Sequence, residues 1–66
     1  MQITVNGKEK KVSVGLNLNQ LINQVIQDKR RVIAEVNGEI VKNTLWEKII
    51  LKSGDTIELI NLVGGG

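Results

Sequence analysis

The residues best placed to do chemistry stand at the end of the chain, where Leu62-Val63-Gly64-Gly65-Gly66 follows directly on an alternating apolar segment. Glycine has no Cβ and accepts almost any backbone conformation. A glycine tail can therefore thread a narrow channel and present a terminal carboxylate to another protein's active centre. The Gly66 carboxylate is the candidate reactive group, carried on Gly64 and Gly65. Fully extended, these glycines reach about 10 Å at most, so Leu62 and Val63 must come close to the partner's entrance. Ile60 shares a strand face with Leu62, which makes Ile60, Leu62 and Val63 the candidate docking residues. The alternative for the glycines is an incidental frayed terminus, because domain ends are often poorly ordered unless tied down.

The remaining side chains offer little chemistry of their own. Cysteine and histidine are both absent, which closes the common thiolate and imidazole routes to covalent nucleophile, general base and zinc site. Asp55 has a sufficient explanation in the turn Ser53-Gly54-Asp55, and Glu58 in a solvated strand face. No second carboxylate can be placed opposite either from the sequence. A chain of 66 residues is one domain, and a domain of about this size buries only about 60% of its unfolded surface, leaving no room for a deep catalytic cleft. An enzyme and a metal site are both disfavoured. The 41% hydrophobic and 24% charged residues are those of a folded globular chain.

Nine basic residues against seven acidic ones give a charge of +2, too small to imply a nucleic-acid partner when stacking aromatics are also lacking. The clusters Lys8, Lys10, Lys11 and Lys29, Arg30, Arg31 are expected to be solvated edges. No apolar run approaches the ~20 residues of a membrane span, and Met1-Gln2 opens straight into a strand pattern in place of a signal peptide. No membrane association and a cytoplasmic location are the expectation.

The elements that must position the tail are legible in the patterning. Ile3-Thr4-Val5 and Val12-Ser13-Val14 alternate apolar with polar residues, and Asn6-Gly7 between them is a strong hairpin signal, since a type I′ turn needs positive φ at both central residues. A two-residue turn pairs Val5 with Lys8 and Ile3 with Lys10, and leaves Val12 and Val14 on the face of Ile3 and Val5. Beyond Gly15, Asn17 is placed as a helix N-cap, Gln20 completes a capping box, and Leu16 and Leu21 form a hydrophobic staple. Leu18, Leu21, Ile22, Val25 and Ile26 recur at helical spacing and form one apolar stripe facing the core. Lys29, Arg30 and Arg31 are expected at the helix end, where they complement its dipole.

Val32, Ala34 and Val36 alternate again, and Asn37-Gly38 turns them into Glu39-Ile40-Val41 as a second hairpin. Thr44 and Glu47 have capping-box spacing, predicting one helical turn that carries Leu45 and Trp46. Trp46, the one aromatic residue, is expected to cover the edge of the core. The last strand runs over Thr56–Leu62, with Ile57 and Leu59 on its core face and Glu58, Ile60 and Leu62 on the other. Its backbone groups are best satisfied in the middle of the sheet, parallel to the first strand. The expectation is an α+β domain over residues 1–63, one main helix packed on a mixed four- to five-stranded sheet, with a flexible glycine tail at 64–66.

This organisation resembles the ubiquitin-like β-grasp, and its local patterns resemble the ThiS family of sulfur carriers in thiamin (thiazole) biosynthesis. The resemblance covers the whole chain. It is carried by Met1-Gln2-Ile3-Thr4-Val5-Asn6-Gly7, Gly15-Leu16-Asn17-Leu18, Val36-Asn37-Gly38-Glu39-Ile40-Val41, Trp46-Glu47, Gly54-Asp55-Thr56-Ile57-Glu58 and Val63-Gly64-Gly65-Gly66. The chain departs from the family where Lys42-Asn43 stands in place of a frequent Pro-Arg pair, and where Leu62 stands in place of a frequent aromatic. The resemblance implies that a ThiF-like, ATP-dependent adenylyltransferase converts the Gly66 carboxylate into an acyl-adenylate. A cysteine-desulfurase-type sulfur donor then makes the thiocarboxylate, which delivers sulfur to a ThiG-like thiazole synthase. No cofactor is bound by the carrier itself, since ATP is used by its partner.

Three alternatives stay open at this point. The small subunit of molybdopterin synthase (MoaD-like) is similar in fold, tail and chemistry but is usually longer. A protein-conjugating ubiquitin-like modifier would form isopeptides through Gly66. A non-reactive β-grasp binding module would carry the glycines incidentally.

Overall fold

Both Asn-Gly pairs turn the chain as their chemistry requires. In the computed structural model, φ is 50° and 82° at Asn6 and Gly7, and 52° and 87° at Asn37 and Gly38, the positive values of a type I′ hairpin turn. The structure describes residues 1–62. The first hairpin joins β1 (Gln2–Val5) to β2 (Lys8–Lys11), with Val5 opposite Lys8 and Ile3 opposite Lys10. The second joins β3 (Val32–Val36) to β4 (Glu39–Val41), with Val36 opposite Glu39. Between the hairpins lies α1 (Leu18–Val25), and a 3₁₀ helix, Asn43–Lys48, leads to the last strand, β5 (Thr56–Asn61).

β5 sits in the middle of a five-stranded sheet of order β2-β1-β5-β3-β4. It runs parallel to β1 and antiparallel to β3. The arrangement is the α+β one expected from the patterning, one helix on a mixed five-stranded sheet, and agrees with the β-grasp that the resemblance implies. The asparagines of both turns also hold β5 directly. The Asn6 side-chain oxygen accepts the Leu59 N–H at 2.7 Å, and the Asn6 N–H donates to the Ile57 carbonyl at 2.9 Å. Across the sheet, the Asn37 side-chain oxygen accepts the Thr56 N–H at 2.9 Å while its amide donates to Asp55 at 3.0 Å. Each turn residue thus supplies its own left-handed backbone and a side-chain clamp on the central strand.

The core lies between one face of this sheet and α1. Ile3, Ala34, Ile57 and Leu59 from the sheet meet Leu18, Leu21 and Ile22 from the helix, with Leu16, Trp46 and Leu51 closing the sides; all are buried. The helix begins on the capping box read from the sequence. The Gln20 N–H donates to the Asn17 side chain at 2.8 Å, and the Asn17 N–H donates to the Gln20 side chain at 2.9 Å. Trp46 is buried at the edge of the core, and its indole N–H donates to the Val41 carbonyl at 2.9 Å. Among the described residues, no helix is long and apolar enough to cross a membrane.

Several expectations are corrected. Strand β2 stops at Lys11, because Val12 exchanges hydrogen bonds with Met1 and the chain then turns at Ser13–Gly15, where the Leu16 N–H donates back to the Ser13 carbonyl. Val12 still packs on the core, but Val14 is 85% exposed and has left the face of Ile3 and Val5. α1 ends at Val25, one residue short of the full apolar stripe, with Val25 exposed and Ile26 extended while still packed against the core. β-branched residues at adjacent positions favour such an exit.

No basic residue therefore lies in the last turn of the helix. Arg30 instead pairs with Asp28 at 2.8 Å, and its N–H also donates to that carboxylate. These bonds from Arg30 lower the Asp28 pKa to about 2. The pair is local and open to solvent, so screening leaves it little weight in stability. The Thr44–Glu47 capping box does not form. The 3₁₀ helix starts two residues earlier, with Lys42 at its cap and no side-chain cap bond, which puts Thr44 inside the helix. β5 ends at Asn61, and the Leu62 N–H donates to the Arg31 carbonyl at 2.7 Å.

Two stability predictions follow from these contacts. Leu21→Ala removes a fully buried side chain and should cost about 2–5 kcal/mol, read as a lower urea midpoint of cooperative unfolding. Asn6→Gly keeps the turn's positive φ but strips the partner from the Leu59 N–H, so it should cost roughly 1–3 kcal/mol. Asn37→Gly, whose side-chain bonds are solvent-exposed, should cost less in the same titration.

Candidate functional site

The C-terminal half of β5 is fixed on one side and open on the other. Strand alternation turns Ile57 and Leu59 into the core, where both are buried, and leaves Glu58, Ile60 and Leu62 exposed on the opposite face. The two apolar docking candidates in the described chain are therefore together, as the alternation requires, with Ile60 44% and Leu62 53% exposed. Along this half β3 pairs with β5 through Asn61 and the Leu62 N–H bonds to Arg31, while β1 pairs only with Thr56 and Ile57 at the start of the strand. The further candidates Val63, Gly64, Gly65 and Gly66, and with them the expected flexible tail, lie outside the described residues.

Pairing across the sheet adds residues that periodicity did not single out. Ile60 stands opposite Ile33 and Glu58 opposite Glu35 in the β3–β5 ladder. Glu35 in turn stands opposite Ile40 of β4, which is 70% exposed. The open face thus carries Ile33, Ile40, Ile60 and Leu62 around two facing carboxylates. Glu58 has Glu35 opposite it, a pairing that could not be placed from the sequence. Only the antiparallel β3–β5 pairing creates that juxtaposition, and neither strand's own pattern encodes its partner. The one available signal was that Ile33 and Ile40 fall on the polar side of their strands' alternation.

The other acidic candidate is structural. Asp55 accepts the Lys52 N–H at 2.8 Å and the Asn37 amide at 3.0 Å, so both carboxylate oxygens are engaged in the turn that launches β5. Among the described residues, no group of three or more His, Cys, Asp or Glu side chains could hold a metal ion. Two shallow grooves, one of about 450 Å³ between Val25 and the β1–β2 hairpin and one of about 410 Å³ beside Trp46 and Arg30, are lined by neither Ile60 nor Leu62. The arrangement can present a surface; among the described residues it assembles no nucleophile–base pair.

Comparison with known proteins agrees with this geometry. A model of the ThiS family matches residues 3–66. The sulfur carrier protein ThiS of Escherichia coli (strain K12) is 29% identical over 66 residues, covering the whole of both chains. A thiazole synthase from Paramagnetospirillum magneticum is 30% identical over 66 residues, all of this chain but 20% of that enzyme, so the chain spans about a fifth of that relative's length. The crystal structure of a thiamine biosynthesis protein (ThiS) from Geobacter metallireducens superposes with a TM-score of 0.86 at 32% identity, covering all of both chains. A central last strand, a single capped helix and a likeness that runs through the terminal glycines place the chain in the ThiS family.

Proposed function

We propose that this chain carries sulfur as a thiocarboxylate on Gly66 and donates it for thiazole formation. As a member of the ThiS family it is a sulfur carrier of thiamine biosynthesis and not an enzyme. The observation that supports the chemistry is the extent of the family match, which includes Gly64, Gly65 and Gly66. The thiazole synthase that contains a stretch similar to this entire chain supports a thiazole synthase as the recipient.

The chemistry needs activation because a carboxylate is a poor electrophile. A ThiF-like adenylyltransferase supplies it: a Gly66 carboxylate oxygen attacks the α-phosphorus of ATP and pyrophosphate leaves. The terminal sulfur of a cysteine-desulfurase-type persulfide then attacks the acyl carbon and AMP leaves. A thiol reductant cleaves the remaining S–S bond to free the thiocarboxylate. The carrier contributes no cysteine or histidine to these steps; its part is to bring Gly66 into the partner's active centre. Ile60, Leu62 and Val63 serve as the docking contact. Burying one such side chain is worth about 1.5–3 kcal/mol before association costs, a modest affinity that suits a carrier passed between partners.

The test is intact-protein mass spectrometry of the full chain incubated with the cognate adenylyltransferase, ATP and a persulfide source. A gain equal to the replacement of one oxygen by sulfur is expected, localised to Gly66. Deleting Gly65 and Gly66 should abolish ATP–pyrophosphate exchange without changing the urea midpoint. Leu62→Asp should raise the KM for the carrier while leaving kcat within about twofold, because it places a charge in the contact but spares the reacting group. Exchange stimulated by the truncated chain would overturn the assignment and favour a passive binding module.

A further inference from the structure

The open face of the sheet also indicates what the activating enzyme must bring to the contact, an inference that rests on the docking just proposed. Glu58 and Glu35 are direct cross-strand partners on that face, and like charges placed directly opposite one another destabilise a sheet. No described residue forms an ion pair with either: Arg31 and Lys42 flank β3 and β4 but lie outside them. The ion pair found among the described residues is Arg30 with Asp28, and β3, β4 and β5 contain no lysine or arginine. The two carboxylates are bordered by the Ile33–Ile60 pair and by Ile40. Scattered exposed apolar residues need no explanation, but a contiguous apolar patch marks a contact surface.

Any partner that covers this patch also desolvates the carboxylates, a heavy cost unless they are paired. A cation between them turns the cost into charge-assisted hydrogen bonds, and the planar fork of arginine can serve two carboxylates at once. The occupant is fixed by position. Leu62 lies at the edge of the patch, and the glycines beyond it reach only about 10 Å, so a protein that acts on Gly66 must rest on this end of the sheet. We propose that the activating enzyme docks an apolar surface on Ile33, Ile40, Ile60 and Leu62 and places an arginine or lysine against Glu35 and Glu58. The rival occupant is a second copy, since β2 carries Lys8, Lys10 and Lys11.

The test uses the full-length, nitrogen-15-labelled chain and the cognate adenylyltransferase without ATP, so that docking is read apart from the chemistry at Gly66. On titration with the enzyme, amide shifts should concentrate at Ile33, Glu35, Ile40, Glu58, Ile60 and Leu62. The double variant Glu35→Gln/Glu58→Gln should keep the wild-type spectrum and unfold at the same or higher urea concentration. Its dissociation constant should nonetheless rise roughly tenfold, and the salt dependence seen for the wild type should flatten. Equal affinity of variant and wild type, or shifts confined to another face, would overturn the proposal. So would a wild-type dimer in sedimentation that the double variant loses, because the second copy would then be the occupant. A chain that docks through this face yet never forms an adenylate would refute the carrier chemistry and leave the docking intact. Adenylation with an unchanged KM in the double variant would do the reverse.

Discussion

Everything in this fold depends on the last strand being hydrogen-bonded on both sides. The two hairpins are local structures, and a two-stranded hairpin is at best marginal alone in water. β5 converts them into one sheet by satisfying the inner edges of both, β1 in parallel and β3 antiparallel. Only then does a continuous apolar face exist for α1 to cover. The asparagine clamps belong to the same logic: Asn6 bonds to Ile57 and Leu59, and Asn37 to Thr56, so each hairpin recognises β5 through its turn as well as its strand. Unpaired backbone groups in the centre of so small a core are costly, which makes the central position of β5 a condition of stability.

The same constraint organises function. A strand flanked by β3 along its length and by β1 at its start offers other proteins chiefly one face and one end. In this family member the face carries Ile60 and Leu62. The division of labour is then physical: ten buried apolar residues and two clamps hold the strand, while exposed residues on its other face are free to be chosen for contact. The edge strand β2, of sequence Lys-Glu-Lys-Lys, is charged along its length, a composition that discourages unwanted pairing with a neighbouring sheet.

How much of this could be read from the sequence depended on how local the signal was. Both hairpins, the capping box and the buried Trp46 were legible because Asn-Gly, Asn-x-x-Gln and a lone aromatic each carry their meaning within a few residues. The parallel β1–β5 pairing was legible by elimination, since one strand was long and apolar on both faces. The end of α1 was not: Val25 continues the helical period, but Ile26 packs on the core better from an extended backbone. Val14 was misplaced because alternation says nothing about the turn at Gly15. At the site, Ile60 and Leu62 followed from parity alone, whereas Glu35 became visible only when the β3–β5 register put it beside Glu58. The clamps, Asn6 to Leu59 above all, join residues 53 positions apart, beyond the reach of any periodic pattern.

The central place of the final strand has a consequence for how the chain is made. During synthesis β1, β2, α1, β3 and β4 are all made before β5, and the slot between the hairpins stays empty until residues 56–61 have emerged. Pairing between the two ends of the sequence is slow to find because a long loop must close first. Native structure therefore arises only once β5 is available, not progressively from the first strand. A prematurely terminated copy, lacking β5, has no sheet to complete and is exposed to proteolysis. The topology acts as a proofreading step: a chain that has folded has also been translated through β5, the strand that carries Ile60 on its open face.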